Sequence, residues 1–253
     1  MSVRRAAQLA ALVVAVLALT GCESNAQRSA KLEKAALAER LAHPQTISKG
    51  VIVTRNNPQV KITQTAVVHD ENGVAAVVAL RNESAKPLRE APIAITVSDA
   101  KGAVLYQNDA PGLDSTLVSA PILRPHTDTV WIDDQIQTAG GVPAKVSARV
   151  GEAPAASGAS SSAPPVLRVS GVHTFEDPSN GVGVEGTVSN RSQVPQQKLV
   201  VYVVGRRGVR IVAAGRAVLA QVGAGQSTAF QVFCIGNPRG AALEASALAS
   251  TFG

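Results

Sequence analysis

Short apolar–polar alternations, punctuated by Gly, Pro, Asn and Asp, fill most of the chain after residue 50. In the first half they are VKITQTAVV (60–68), VAAVVAL (74–80), PIAITV (92–97), AVLY (103–106), TVWI (129–132) and AKVSARV (144–150). In the second half they are VLRVSGVHTF (166–175), GVGVEGTV (181–188), KLVVYVV (198–204), VRIVAA (209–214), STAFQVF (227–233) and ALEASALA (242–249). A period of two places alternate side chains on opposite faces of a strand, and β-branched residues favour that geometry. Run 74–80 is apolar on both faces. Many short strands without a long helix predict an all-β sandwich architecture. Upstream, ESNAQRSAKLEKAALAERLAH (23–43) is built from helix formers and stops at Pro44. Its narrow stripe through Ala30, Leu37 and Leu41 suits a semi-rigid stalk, a docking helix or a weak coiled-coil seam, with the stalk as the plainest reading.

The two halves repeat one another. NGVAAVVALRNESAKP (72–87) and NGVGVEGTVSNRSQVP (180–195) share N-G-V, seven residues, then N-x-S-x-x-P at an offset of 108. Further on, Leu123, Pro125, Thr127 and Trp131 parallel Val222, Ala224, Gln226 and Phe230 at an offset of 99. Loops of unequal length between two copies of one fold explain the change of offset. GEAPAASGASSSAPP (151–165) separates the copies and holds no residue able to build a core. A flexible joint of this kind predicts loosely coupled units. Trp131 and Phe230 are expected to anchor their cores.

Each half resembles the FxLYD-type module, an immunoglobulin-like domain of bacterial exported proteins and lipoproteins. The first half carries Ala79-Leu80-Arg81-Asn82-Glu83-Ser84, the hairpin Asp99-Ala100-Lys101-Gly102 and the late turn Leu123-Arg124-Pro125-His126-Thr127. The second carries Val184-Glu185-Gly186-Thr187-Val188-Ser189-Asn190-Arg191-Ser192 and the turn Val222-Gly223-Ala224-Gly225-Gln226-Ser227. It departs at the hairpin, where Gly205-Arg206-Arg207-Gly208 replaces D-A-x-G, and neither half keeps the Phe-x-Leu-Tyr-Asp string intact. The resemblance implies a mainly β fold, two tandem immunoglobulin-like β-sandwiches at 50–150 and 166–253, preceded by the helical segment 22–49. It implies no activity, no cofactor and no fixed ligand.

The N-terminus adds a location. Arg4 and Arg5 precede a short apolar run over 6–19, and Leu19-Thr20-Gly21-Cys22 follows. The run is shorter than the ~20 apolar residues a spanning helix wants. Small residues before a cysteine resemble the lipobox of bacterial lipoproteins, so residues 1–21 read as a signal peptide and Cys22 as the lipidated residue. Two or three palmitate-type acyl chains would tether the mature chain, each buried CH2 contributing about 0.8 kcal/mol. An extracytoplasmic protein held on a cell or outer membrane is the expected setting.

Charge and chemistry narrow the function. The formal net charge is +6, and the excess of the folded part lies in 165–253, with eight basic and four acidic side chains. With aromatics at 3% and no aromatic-interleaved basic stripe, nucleic acid is not an expected partner. Once Cys22 is acylated, Cys234 has no disulfide partner, and its apolar run FQVFCIG predicts a buried, inert thiol. His43, His69, His126 and His173 show no metal spacing, and no cofactor or metal is expected. Adjacent Asp133 and Asp134 read as a solvated loop rather than an acid–base pair, and His69-Asp70-Glu71 as a solvated turn. Asn82 and Asn190 sit in N-x-S triplets but read as strand terminators that bond nearby backbone. Arg206, Arg207 and Arg210 at a glycine-flanked hairpin tip are the candidate contact for an anion or partner, with a charged, soluble edge as the plainer alternative. Together these features predict a non-enzymatic, membrane-anchored protein-binding or scaffold module with an envelope protein partner. The alternative is a small-molecule or glycan binder using the domain interface or the basic hairpin, with anionic lipid or glycan as the contact.

Overall fold

Continuous β-ladders run through both halves of the chain. The computed structural model describes residues 50–138, 140–153, 164–178 and 181–252. The signal peptide, Cys22, the helical segment 22–49 and residues 154–163 of the linker lie outside the described residues. The first half contains β1 (Val60–Asp70), β2 (Gly73–Asn82), β3 (Leu88–Ser98), β4 (Val104–Gln107), a 3-10 turn (Ser115–Leu117), β5 (Ser119–Leu123), β6 (Asp128–Ile136) and β7 (Lys145–Val150). The second contains β8 (Leu167–Asp177), β9 (Gly181–Asn190), β10 (Gln196–Arg207), β11 (Arg210–Val222), β12 (Ser227–Phe233), β13 (Ile235–Gly236) and β14 (Ala242–Leu248). The expected mainly β class is what the chain adopts. β5 and β13 are additions to the sequence reading: Pro121 disguises the first, and the second is two residues long.

Among the described residues, strands pair antiparallel and only within their own half. One sheet of the first half has the order β1-β2-β6, and the other gathers β4, β5 and β7 around β3. The second half repeats the plan with β12-β9-β8 and β13-β11-β10-β14. The equivalence extends to register. Trp131 lies opposite Val78, and Phe230 lies opposite Gly186, which reproduces the offsets of the sequence blocks. Both aromatic side chains are buried in their cores, as expected.

The two halves do not sit loosely. One core cluster joins Val68, Val77, Ile132 and Ile136 of the first half to Val200, Tyr202, Val204, Ile211 and Ile235 of the second. Along β10 the faces alternate: Leu199, Val201 and Val203 enter the second half's own core. Val200, Tyr202 and Val204 meet the first half. Hence β10 is apolar on both faces, as β2 is, because each lies in a sheet covered on both sides. The linker composition speaks of chain flexibility and carries no information about this contact. Ser48–Gly253 accordingly forms one compact unit.

Gly236 shows how closely the halves approach. Its φ is 86°, and a Cβ there would lie 2.2 Å from the Val212 carbonyl oxygen and 2.6 Å from Val68 Cγ1. Its N–H donates to Asp70 Oδ2 at 2.7 Å, across the interface. Glycine alone fits both the dihedral and the space.

Candidate functional site

A polar clasp crosses the interface. Ala76 pairs with Asp133 and Val74 with Ile136, so β6 carries one extra residue at Asp134-Gln135. A bulge of this kind re-aims side chains. Asp133 turns into the first half, where its carboxylate accepts the Tyr106 hydroxyl at 3.0 Å and the Gln135 N–H at 3.0 Å. Asp134 turns toward the second half and accepts Arg216 Nε at 3.1 Å and the Arg216 backbone N–H at 2.9 Å. The two side chains of this ion pair are 15% and 4% exposed. Arg216 Nη1 also donates to Thr116 Oγ1 at 2.6 Å. The Thr116 hydroxyl donates to Asp114 Oδ1 at 2.5 Å, and the Thr116 carbonyl accepts Trp131 Nε1 at 2.9 Å. The core tryptophan of one half thus fixes the turn that holds an arginine of the other.

The expectation of a solvated Asp133-Asp134 loop is therefore corrected. Both residues lie within a strand, and Asp133 is fully buried. Their opposite orientation follows from strand geometry. Burial raises both carboxyl pKa values, and Arg216 offsets only part of the effect on each. Tyr106 is raised too, first by burial and then by Asp133. Tyr202 packs close by and is raised mainly by burial; among the described residues its hydroxyl has no hydrogen-bond partner. Sequence reading missed Arg216 and Thr116. The available signal was a lone arginine inside the apolar run IVAAGRAVLA (211–220).

The arginine hairpin is arranged less simply than its composition suggests. Arg207 pairs with Arg210 across a two-residue turn, Gly208-Val209, and Gly208 takes φ 61° as that turn demands. Arg207 and Arg210 are exposed. Arg206 is instead turned toward the first half, with its side chain 18% exposed. Its Nη1 donates to Gln64 Oε1 at 2.8 Å and its Nε to Glu244 Oε2 at 3.1 Å. Gln64 Nε2 returns a bond to the Val209 carbonyl at 3.1 Å. Arg207 Nη2 donates to the Arg239 carbonyl, and the Arg239 guanidinium pairs with Glu176.

Beside this hairpin, residues of both halves line a groove of about 770 Å³. Ala79 and Val130 line it from the first half, and Tyr202, Val204 and Ser246 from the second. Arg206, Gln64 and Val209 also line it, as does Asp128, which pairs with Arg81 at 3.0 Å. The size lies within the usual range for ligand pockets, roughly 300–1,000 Å³.

The remaining candidates have structural surroundings. Asn82 Nδ2 donates to the carbonyls of Lys86 and Leu123 at 2.8 and 3.0 Å, and its Oδ1 accepts the Ser84 N–H at 3.0 Å. Asn190 repeats this with Val194, Val222 and Ser192 at 2.9, 3.2 and 3.0 Å. Both asparagines are buried, so each triplet is a strand-ending corner with its amide already engaged. Cys234 is buried, and burial first, with Asp134 second, pushes its thiol up to about 12. His173 faces Glu185 at 3.0 Å, and no group of three metal-binding side chains converges among the described residues. No helix among them is long and apolar enough to cross a membrane. In comparisons with known proteins, the chain matches no family model and no curated sequence.

Proposed function

We propose that this protein is an extracytoplasmic lipoprotein, tethered through Cys22, whose two immunoglobulin-like repeats act together as a non-catalytic binding or scaffold module. The observation that carries the reading is the shared core between the halves. A module docked through buried apolar and ionic contacts presents its loops and edges in fixed relative positions, and fixed positions reduce the entropy cost of binding. The acidic pair supports the same reading, because Asp133 and Asp134 are spent on Tyr106 and Arg216 inside the fold. The FxLYD resemblance and the lipobox motif supply the export and anchoring parts.

The exposed hairpin is the partner-facing element. Val209 is 89% exposed at its tip, with Arg207 and Arg210 on either side. A photoreactive residue in place of Val209, in the full chain in intact cells, should give a discrete protein adduct. That adduct should disappear in Cys22→Ala, which should also leave the membrane fraction. A hairpin that yields no discrete adduct, or a Cys22→Ala chain that stays wholly with membranes, would count against the respective half of the proposal. A second reading, small-molecule or glycan binding, is favoured by the groove between the repeats.

A further inference from the structure

One sheet edge of the second repeat lacks the usual protection. β10 pairs with one side of β11, but on the other side β13 reaches only Ala213 and Ala214. Two bonds show which backbone groups face that open side. The Val212 carbonyl accepts the Asn237 N–H, and the Arg216 N–H donates to Asp134. Alternation along the strand then turns the N–H and C=O groups of Val218 and Ala220 the same way. Among the described residues no strand pairs with them there. Val218 is 51% exposed, Ala220 and Gln221 are exposed, and residues 217–221 contain no charge and no proline. A depression of about 510 Å³ lies beside them, lined by Ala217, Val218 and Leu219 and, from β12, by Ala229 and Gln231. The equivalent edge of the first repeat is built differently. There β3 is flanked by two short strands, β4 and β5, with a 3-10 turn between them and Pro121 inside β5. Short edge strands and proline are common defences against pairing with another chain. The second repeat replaces them with one strand of 13 residues.

From these features we propose that the β11 edge pairs with the same edge of a second copy of this chain, antiparallel and across a two-fold axis at Leu219. Val218 of each copy then lies opposite Ala220 of the other, and each such pair exchanges both N–H···O bonds. Leu219 lies opposite Leu219 of the second copy as a close, non-hydrogen-bonded pair, because its own N–H and C=O point toward β10. The sequence suits self-pairing. Residues 217–221 are uncharged, the axis falls on their largest apolar side chain, and Arg216 of each copy lies opposite Val222 of the other, so no like charges meet. The depression beside β11 gives the incoming strand room. An edge that pairs with itself across a two-fold axis is consumed by that pairing, so assembly closes at a dimer. The contact goes beyond the binding-module reading and lies at the opposite end of β11 from the hairpin tip.

The test is oxidative cross-linking of the full chain in the cells that make it. Across a non-hydrogen-bonded pair the Cα atoms lie about 4.5 Å apart, within the disulfide range of about 4.4–6.8 Å. Leu219→Cys should therefore give a disulfide-linked dimer of the chain. The parent chain should not, because Cys234 is buried. Ser170→Cys, at an exposed position of β8, should cross-link far less than Leu219→Cys. Adding Val218→Lys to Leu219→Cys should lower the dimer yield about tenfold, because lysine on an edge opposes pairing. Ala220→Lys serves the same purpose if the first variant does not fold, and the urea midpoint of each variant reports folding. Equal yields from Leu219→Cys and Ser170→Cys, or a dimer indifferent to both lysines in folded chains, would overturn the proposal. Capture of a different protein by Leu219→Cys, with no dimer of the chain, would overturn it as well, since the edge would then take a foreign strand.

Discussion

The same strand in the two repeats presents opposite outer faces. In β3, Ala94, Thr96 and Ser98 face away from the core and are half-buried. At the equivalent places of β10 stand Tyr202, Val204 and Arg206, covered by the first repeat. The reverse holds in the other sheet. β2 turns Ala75, Val77 and Ala79 toward its neighbour, where β9 has Gly183, Glu185 and Thr187. Each repeat therefore docks through a different sheet. Such head-to-tail contacts propagate unless the next surface is unsuitable. Glu185, paired with His173, and the small polar face of β3 make the two unused faces unsuitable. The hairpins follow the same division. Asp99 closes its own turn by accepting the N–H groups of Lys101 and Ala103, both at 2.8 Å. The second repeat lacks that aspartate, and its hairpin instead exchanges bonds with Gln64. Departure from the common pattern marks the docking face.

Breaking the clasp should have the largest effect. Arg216→Ala leaves Asp134 buried without its cation, and loss of one partner from a buried pair costs about 3–5 kcal/mol. Urea denaturation of the full chain should show that loss. A change below about 1 kcal/mol would mean the repeats do not depend on the clasp. Next comes Gly236→Ala, which adds a methyl where the backbone is left-handed and Val212 and Val68 close in. It should cost about 2 kcal/mol by the same measurement.

The corners sharpen the comparison by being alike. Asn82→Ala and Asn190→Ala each remove a buried amide donor from a buried bond, to the carbonyls of Leu123 and Val222 respectively, and should each cost about 2 kcal/mol. Near-equal values are expected because the hydrogen-bond sets match apart from one added bond, from Asn190 Nδ2 to the Gly223 carbonyl at 3.1 Å. A large inequality would show that one corner also serves the interface.

The smallest effect is a pH dependence. Asp133 is faced by Tyr106 from β4, Arg216 from β11, and Asp134 and Gln135 on its own strand. Its folded pKa is raised, chiefly by burial. Its contribution to stability is therefore fully present below the unfolded carboxylate pKa and is lost as pH rises through the folded one. Asp133→Asn removes the titration. The variant should match the parent most closely in acid and gain on it toward neutral pH, as followed by melting temperature. A gap that narrows over that rise would contradict the assigned burial effect.

Legibility in the sequence followed the range of the interactions. The corners were readable because Asn-x-Ser bonding is local and occurs twice. Strand positions were readable from alternation, apart from β5, where Pro121 breaks the pattern, and the two-residue β13. The interface was not readable, although its trace was present: run 74–80 and run 198–204 are apolar on both faces. One copy alone offers no reason to cover both faces, so the second face had no assigned neighbour. Arg216, Thr116 and Gln64 were missed because their partners lie 82, 100 and 142 or more residues away.

The two repeats carry one natural reporter each. Trp131 is the sole tryptophan and lies in the first repeat; Cys234 is a buried thiol in the second. The most direct test follows Trp131 fluorescence and the modification of Cys234, quantified on its own peptide by mass spectrometry, through one urea titration of the full chain. A shared core predicts coincident midpoints, because neither repeat can open without exposing the apolar face of the other. Cys234 reacting at clearly lower urea than Trp131 reports, or the reverse, would contradict the claim that the repeats form one cooperative body.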